Sequence, residues 1–376
     1  MDKAVIEYKK RRQARLDARF GIEKDPIKDF RKRRAERMDI RGEFNENDHP
    51  RGKDGKFVSG GGSKSPDSSG KKRGWTDKAQ KVKGITIEKG DSGYDIPVFD
   101  EKTFTDNFEQ KKAIAREAAK SLVPAVKKEL STEVREIKRP KVDDSTREYL
   151  RKAVSGASDE QIEKGLEEAD KIYSYWEKNE PAITESVVGA VKEVGGSMYG
   201  LDNRRKFDKS LAKKAVADAI NPDLKFNGDV QKAADAIKDG ARYTAVFDSD
   251  NFAEGYSRVK GALEKMGIKE YRCKNFFKQY RDQDGSDGKI GEQKSVQCVF
   301  ETPDGQKFEL QFHTPESMAA KEVNHPTYKQ KKEPPADHVE YNRPRSLFMR
   351  DTSSVVPDPK NVFDIEEHKR GENGYK

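Results

Sequence analysis

The chain has 376 residues, 32% of them hydrophobic and 38% charged, with a mean hydropathy of -1.06. That length allows two domains, or one domain with long tails, and the polarity excludes one large core filling the whole chain. A net charge of +8 points to an anionic partner, nucleic acid or polyphosphate, and no apolar run approaches the roughly 20 residues that cross a bilayer.

In chain order, residues 1–42 are crowded with Arg and Lys, as in Lys9-Lys10-Arg11-Arg12 and Arg31-Lys32-Arg33-Arg34, while Val5, Ile6, Leu16 and Phe20 are sparse. They read as a basic helical arm, either a solvated helix or a dock for nucleic acid or another anion. Residues 43–82 are rich in Gly, Ser, Lys and Asp, with Gly60-Gly61-Gly62 among them; no core can form there, and the stretch reads as a flexible linker. A strand is expected at 84–88 and an extended patch at 94–99. Residues 83–179 are otherwise mainly helical, with apolar residues at i, i+3, i+4 over 107–122, 145–154 and 159–176, and again over 182–194. Ser158 and Thr184 are expected at helix starts, and Gly195-Gly196 at a helix end.

The period then changes. Strands are expected at 243–247, 269–277, 295–301 and 307–313, with an amphipathic helix at 251–266 closed by Gly267. Pro303-Asp304-Gly305 joins the last two strands as a hairpin, because Asp-Gly suits the turn that twisted strands require. A helix at 315–324 follows, and residues 331–376 read as a polar, mostly irregular tail. The order is β-α-β-β-β-α with helices before it: an α+β domain over residues 180–330, built on a small mixed sheet of about four to five strands flanked by helices. Cys273 and Cys298 show no metal-type spacing and read as buried thiols rather than a disulfide, which suits a reducing cytosol. No signal-peptide core follows Met1, so a cytoplasmic location is expected.

Transfer of a pyrophosphoryl group needs Arg and Lys against the phosphates, a divalent cation held by carboxylates, and a base for the acceptor hydroxyl. The chain presents such groups in order. Arg204 and Lys206 precede Ser210 and Lys214, and the last three are four residues apart, as on one helix face. Asp239 and Arg242 open the first strand. Arg272 and Lys274 project together from the second, and Lys294 and Gln297 stand at the third. On the fourth, Glu309, Gln311 and His313 share one face, and Leu310 and Phe312 take the other. The acidic loop 282–291 fails the EF-hand pattern and reads as solvated.

These motifs, together with Lys321-Glu322, His325 and Tyr328 on the final helix, make residues 200–328 resemble the synthetase module of RelA/SpoT alarmone enzymes, especially versions in toxins and phage-borne proteins. The resemblance implies a nucleotidyltransferase-like fold and an ATP:nucleotide pyrophosphokinase that uses Mg²⁺. It implies that Arg204, Lys206, Ser210 and Lys214 hold donor ATP, and that Arg242, Lys274 and Lys294 steady phosphates. It implies that Asp239 and Glu309 bind the metal, with Glu309 activating the acceptor hydroxyl, and that Gln297, Gln311, His313 and His325 shape the acceptor pocket. Family members carry Gly-Tyr where this chain has Glu292-Gln293, and His or Asn where it has Gln297. The segment from Phe44 to Phe57 resembles one found in tailed-phage head and structural proteins, which implies a phage or mobile-element origin and a possible place on the virion. Two readings follow: a toxin or defence effector with an antitoxin or immunity partner, or a virion-associated structural or nucleic-acid-binding protein with an inactive synthetase-like domain.

Overall fold

The computed structural model describes residues 74–90, 93–332 and 338–369, all within the unit formed by residues 71–376. The basic arm, the phage-like segment and most of the expected linker lie outside the described residues. The end of that linker is helix α1 (Trp75–Ala79), anchored by buried Trp75 and Ala79. Strands β1 (Ile85–Lys89) and β2 (Asp95–Phe99) form an antiparallel pair close to the expected positions.

Helices α2 (Phe108–Glu129), α3 (Asp144–Ala153) and α4 (Asp159–Glu193) follow. The segments 159–176 and 182–194 are one helix, which runs through Pro181. Ser158 caps its start, exchanging hydrogen bonds with Gln161 as a capping box, and Gly195, at φ 70°, follows its end. Thr184 is therefore not a helix start; it is buried inside α4, where its hydroxyl donates to Glu180.

Next come β3 (Ser197–Met198), α5 (Asp208–Ile220), α6 (Val230–Asp235), β4 (Arg242–Val246), α7 (Phe252–Lys265) and β5 (Lys269–Asn275). Strand β5 stops two residues before the expected end. The Asn275 side chain accepts from the backbone N–H groups of Phe277 and Lys278 and so caps a helix, α8 (Phe276–Asp282), that the sequence reading did not contain. Strands β6 (Val296–Glu301) and β7 (Lys307–His313) meet at Asp304-Gly305, with Gly305 at φ 88°. Helix α9 (Pro315–Lys332) continues well past residue 324. Residues expected as irregular tail form helix α10 (His338–Ser353), which buries Phe348 and Met349, and strand β8 (His368–Lys369). Among the described residues no helix is long and apolar enough to cross a membrane.

The result is a mixed α+β fold around a six-stranded sheet ordered β3-β4-β7-β6-β5-β8. Strands β4 and β7 are parallel and the other neighbours antiparallel. Alternation divides the sheet into two faces. One carries Tyr243, Cys298, Phe300, Phe308, Leu310 and Phe312, all buried under α4 and α7, with Trp176 edge-on to Phe308 at 5.9 Å and Tyr256 edge-on to Phe312 at 5.2 Å. The other is polar, and register sets it in rows: Arg242 beside Glu309, Glu309 beside Val299, Val299 beside Arg272.

Candidate active site

A cleft of about 620 Å³ lies on this polar face. Its floor is Arg242, Glu309, Gln311, Gln297, Val299 and Arg272, from the four central strands β4 to β7. One wall is α9, which turns Lys321, His325, Tyr328 and Lys332 toward the cleft at three- and four-residue spacing while Ala319, Ala320 and Val323 are buried on its far side. The opposite wall is Lys206, Lys214, Lys238 and Asp239. Eight lysines and arginines thus line the cleft against three carboxylates, Asp239, Glu292 and Glu309. Such a surplus attracts polyanions.

Asp239 sits between α6 and β4, where a second stretch of chain comes alongside. Arg205 forms an antiparallel bridge with Ala241, the Lys206 N–H donates to the Gly240 carbonyl at 2.9 Å, and the Arg242 N–H donates to the Arg204 carbonyl at 2.7 Å. This bridge carries Lys206 onto the Asp239 carboxylate, and Lys214 reaches the same carboxylate from α5 at 2.8 Å. Lys206 is therefore not on a helix face with Lys214, as its spacing suggested; α5 begins at Asp208. Burial pushes the Asp239 carboxyl upward, but the two ammonium groups overcome it and hold the group well below the usual carboxylate range. Burial lowers the Lys206 amine, against the pull of Asp239.

Gly240 is needed at this junction. A methyl group there would stand 2.6 Å from Nε1 of Trp176 and 3.0 Å from the Ile172 side chain. Gly240→Ala is expected to cost about 1–3 kcal/mol by overpacking, read as a lower midpoint in urea denaturation; an unchanged midpoint would show that α4 can yield.

Of the residues to which the resemblance gives a role, eight line this one cleft: Lys206, Lys214, Asp239, Arg242, Gln297, Glu309, Gln311 and His325. Five do not. Arg204 is buried and pairs through Nε with buried Glu180. Ser210 is exposed on α5, and Lys274 is exposed on β5, neither lining the cleft. Lys294 is buried, donating to the Val356 carbonyl at 2.7 Å and to Asp358 at 2.8 Å. His313 is buried at the end of β7, its Nδ1 2.8 Å from the Ser317 hydroxyl at the start of α9. Burial, with Lys321 nearby, drives its imidazole well below its ordinary value, so it is neutral at pH 7 and not a cation for phosphate.

Lys321 has a larger place in the cleft than its motif in the sequence suggests. Its ammonium donates to Gln311 Oε1 at 2.6 Å, and burial, then Arg242, push its pKa down to about 8, against the pull of Glu309. An anion bound in the cleft would raise that value again. Triphosphate affinity is therefore expected to fall as pH rises through about 8, where the free cleft loses this proton. Binding of a non-hydrolysable ATP analogue, measured from neutral to alkaline pH, should show the fall, and Lys321→Arg should remove it. A flat wild-type profile would refute the role. Glu292, one of the two residues that depart from the Gly-Tyr expected from the resemblance, is held by Lys331, whose ammonium also donates to Ser346 at 2.8 Å. The tyrosine ring that lines the cleft is Tyr328, on the α9 wall.

A hard divalent ion such as Mg²⁺ needs one or two carboxylates and takes its remaining oxygens from water and phosphate. Asp239 and Glu309 supply such oxygens within one cleft, so the donor set fits, provided Lys206 and Lys214 release Asp239 to take up phosphate instead.

No protein-family model matches the chain, and no curated protein does. Among solved structures, the chain is similar to the crystal structure of the complex between the Type VI effector Tas1 and its immunity protein, with a TM-score of 0.31 and 17% identity over 50% of this chain and 96% of that chain. A similarity that slight carries nothing over to this protein.

Proposed function

We propose that the protein is a Mg²⁺-dependent pyrophosphokinase that moves pyrophosphate from ATP to the 3′-hydroxyl of a nucleotide or RNA, releasing AMP. The observation that carries this reading is the convergence of Asp239 and Glu309 with eight cationic side chains in one cleft. Lys206, Lys214 and Arg242 bind and orient the triphosphate, releasing Asp239 as they do. Asp239 and Glu309 would hold the metal, whose charge offsets the negative charge that builds on the transferring group. Glu309 accepts the proton of the acceptor hydroxyl. Lys321 and Arg272 hold the acceptor's phosphates, and Tyr328 offers a ring for its base.

Purified protein given labelled ATP, Mg²⁺ and GDP, GTP, ADP, ATP or tRNA in turn should label one acceptor. Labelling of none would reject the proposal. Because the reaction consumes ATP, the protein would act in a bacterial cytoplasm as a growth-inhibiting toxin or defence effector, restrained by an antitoxin or immunity protein; toxicity on expression should vanish with Glu309→Gln. The rival reading, a nucleic-acid-binding virion component with a silent cleft, draws on Asp239 being already engaged by two lysines. Salt-sensitive DNA binding that survives Asp239→Ala and Glu309→Ala, without any transfer, would favour it.

A further inference from the structure

On the opposite face of the same sheet, register brings four side chains of another chemistry together. Cys298 on β6 lies directly opposite Cys273 on β5, and Cys273 lies directly opposite His368 on β8. Directly opposed residues point to the same face, so the two thiols and the imidazole form one row across three strands. Glu270 is three residues before Cys273, and in a regular strand it would point the other way. The register shift between Glu270 and Arg272 prevents that. Glu270 pairs with Phe300, two residues from Cys298, and so joins the cysteine face. Bulges of this kind commonly re-aim one side chain at a functional position.

The donor atoms are close. Those of Glu270, Cys273 and Cys298 lie within 4.8 Å of one another, and His368 Nε2 is 3.2 Å from Glu270 Oε2. Tetrahedral zinc, with bonds of about 2.0–2.3 Å, sets its ligand atoms about 3.3–3.8 Å apart. For Glu270, Cys273 and Cys298 a contraction of roughly an ångström reaches that spacing, and His368, beside Glu270 and opposite Cys273 in register, is the fourth donor, its ring turning toward the sulfurs as the ion binds. Both cysteines are buried and free of a disulfide, and the Glu270 side chain is buried too.

We propose that Glu270, Cys273, Cys298 and His368 form a closed tetrahedral site for Zn²⁺, structural in role, which fastens β8 to the centre of the sheet. Two thiols and an imidazole select a borderline-soft ion over Mg²⁺ or Ca²⁺. The charges balance: two thiolates and one carboxylate meet Zn²⁺ and the Lys260 ammonium, 2.9 Å from Glu270 Oε2. The Tyr256 hydroxyl, 3.0 Å from Glu270 Oε1, fixes the carboxylate from the outside, as partners of metal ligands do. Binding releases the two thiol protons to solvent. A cavity of about 820 Å³, lined in part by Tyr256, Lys260, Glu270 and His368, gives the ion a way in. Sequence spacing could not show the site, because its ligands come from three strands and depend on the bulge.

The test uses the full-length protein, reduced, freed of metal, and titrated with Co²⁺ and then Zn²⁺. One Co²⁺ per chain is expected, with a thiolate-to-cobalt charge-transfer band and the visible spectrum of a tetrahedral ion, bleached by Zn²⁺. Cys273→Ser and Cys298→Ser should each weaken the band, and His368→Gln should lower affinity by at least the roughly 10–100-fold that loss of an outer partner costs. Three results would overturn the proposal: no stoichiometric uptake by the reduced wild-type chain, uptake indifferent to both cysteines, or a stable Cys273–Cys298 disulfide whose reduction restores no metal binding. None of these readings depends on pyrophosphate transfer.

Discussion

Glu309→Gln should abolish detectable transfer, lowering it by about 10²–10⁴-fold, the usual contribution of a general base, with metal binding weakened as well. The argument begins with the strand. Phe308 and Leu310, on either side, are fully buried and hold β7 in the sheet, while Glu309 faces the cleft. Its backbone N–H donates to the Ala241 carbonyl at 3.0 Å, a bond the substitution keeps. Glutamine has nearly the same volume and removes only the charge and the basic oxygen. Stability should therefore change by less than about 0.5 kcal/mol, as for substitutions that touch no core. Two measurements check this together: the urea midpoint and the initial rate with labelled ATP and the preferred acceptor. Transfer at the wild-type rate by a folded Glu309→Gln protein would remove Glu309 from the chemistry and, with it, the proposed mechanism.

The polar face on which that prediction rests was legible because a strand's period is two. Residues 307–313 read as a strand and are one, with Glu309 and Gln311 on the face expected. The Asp304-Gly305 turn was equally plain, since the chain turns there at φ 88°. Helix ends differ most from expectation beside proline. Expected helices ended at 122, 176 and 324, yet α2, α4 and α9 run through Pro124, Pro181 and Pro326. Packing outweighs the local penalty there: Trp176, Ile183 and Val187 on both sides of Pro181 are buried in one core. Helix α10 was hidden because polar side chains do part of its packing. Arg345 is buried, 4.4 Å from the centre of the Phe104 ring, and Lys294 is paired with Asp358 beyond it, so a basic residue expected at phosphate serves the fold. Composition cannot distinguish such an arginine or lysine from one facing solvent.

Arg204 is the case where that ambiguity has the largest energetic consequence. Its Nε donates to Glu180, its Nη1 donates to the Leu201 carbonyl at 3.0 Å, and the Glu180 side chain is 1% exposed. The carboxylate also accepts from Thr184, whose hydroxyl lies 2.9 Å from that of Tyr243, so the pair ties α4 to β4 behind the cleft. Arg204→Met keeps the aliphatic stem but leaves Glu180 buried with Arg205 as its nearest remaining cation, at 3.5 Å. Removing one member of a buried pair costs about 3–5 kcal/mol, because the other charge stays out of water unmatched. We expect a fall of that size in urea unfolding, partly recovered in the double variant Glu180→Gln/Arg204→Met, where no carboxylate is stranded. Transfer per folded molecule should change little, since Arg204 does not line the cleft. A phosphate-holding arginine would behave the opposite way, with near-normal stability and a large loss of triphosphate binding. That outcome would show that Arg204 leaves Glu180 for a bound triphosphate, and that the buried pair describes only the unliganded protein.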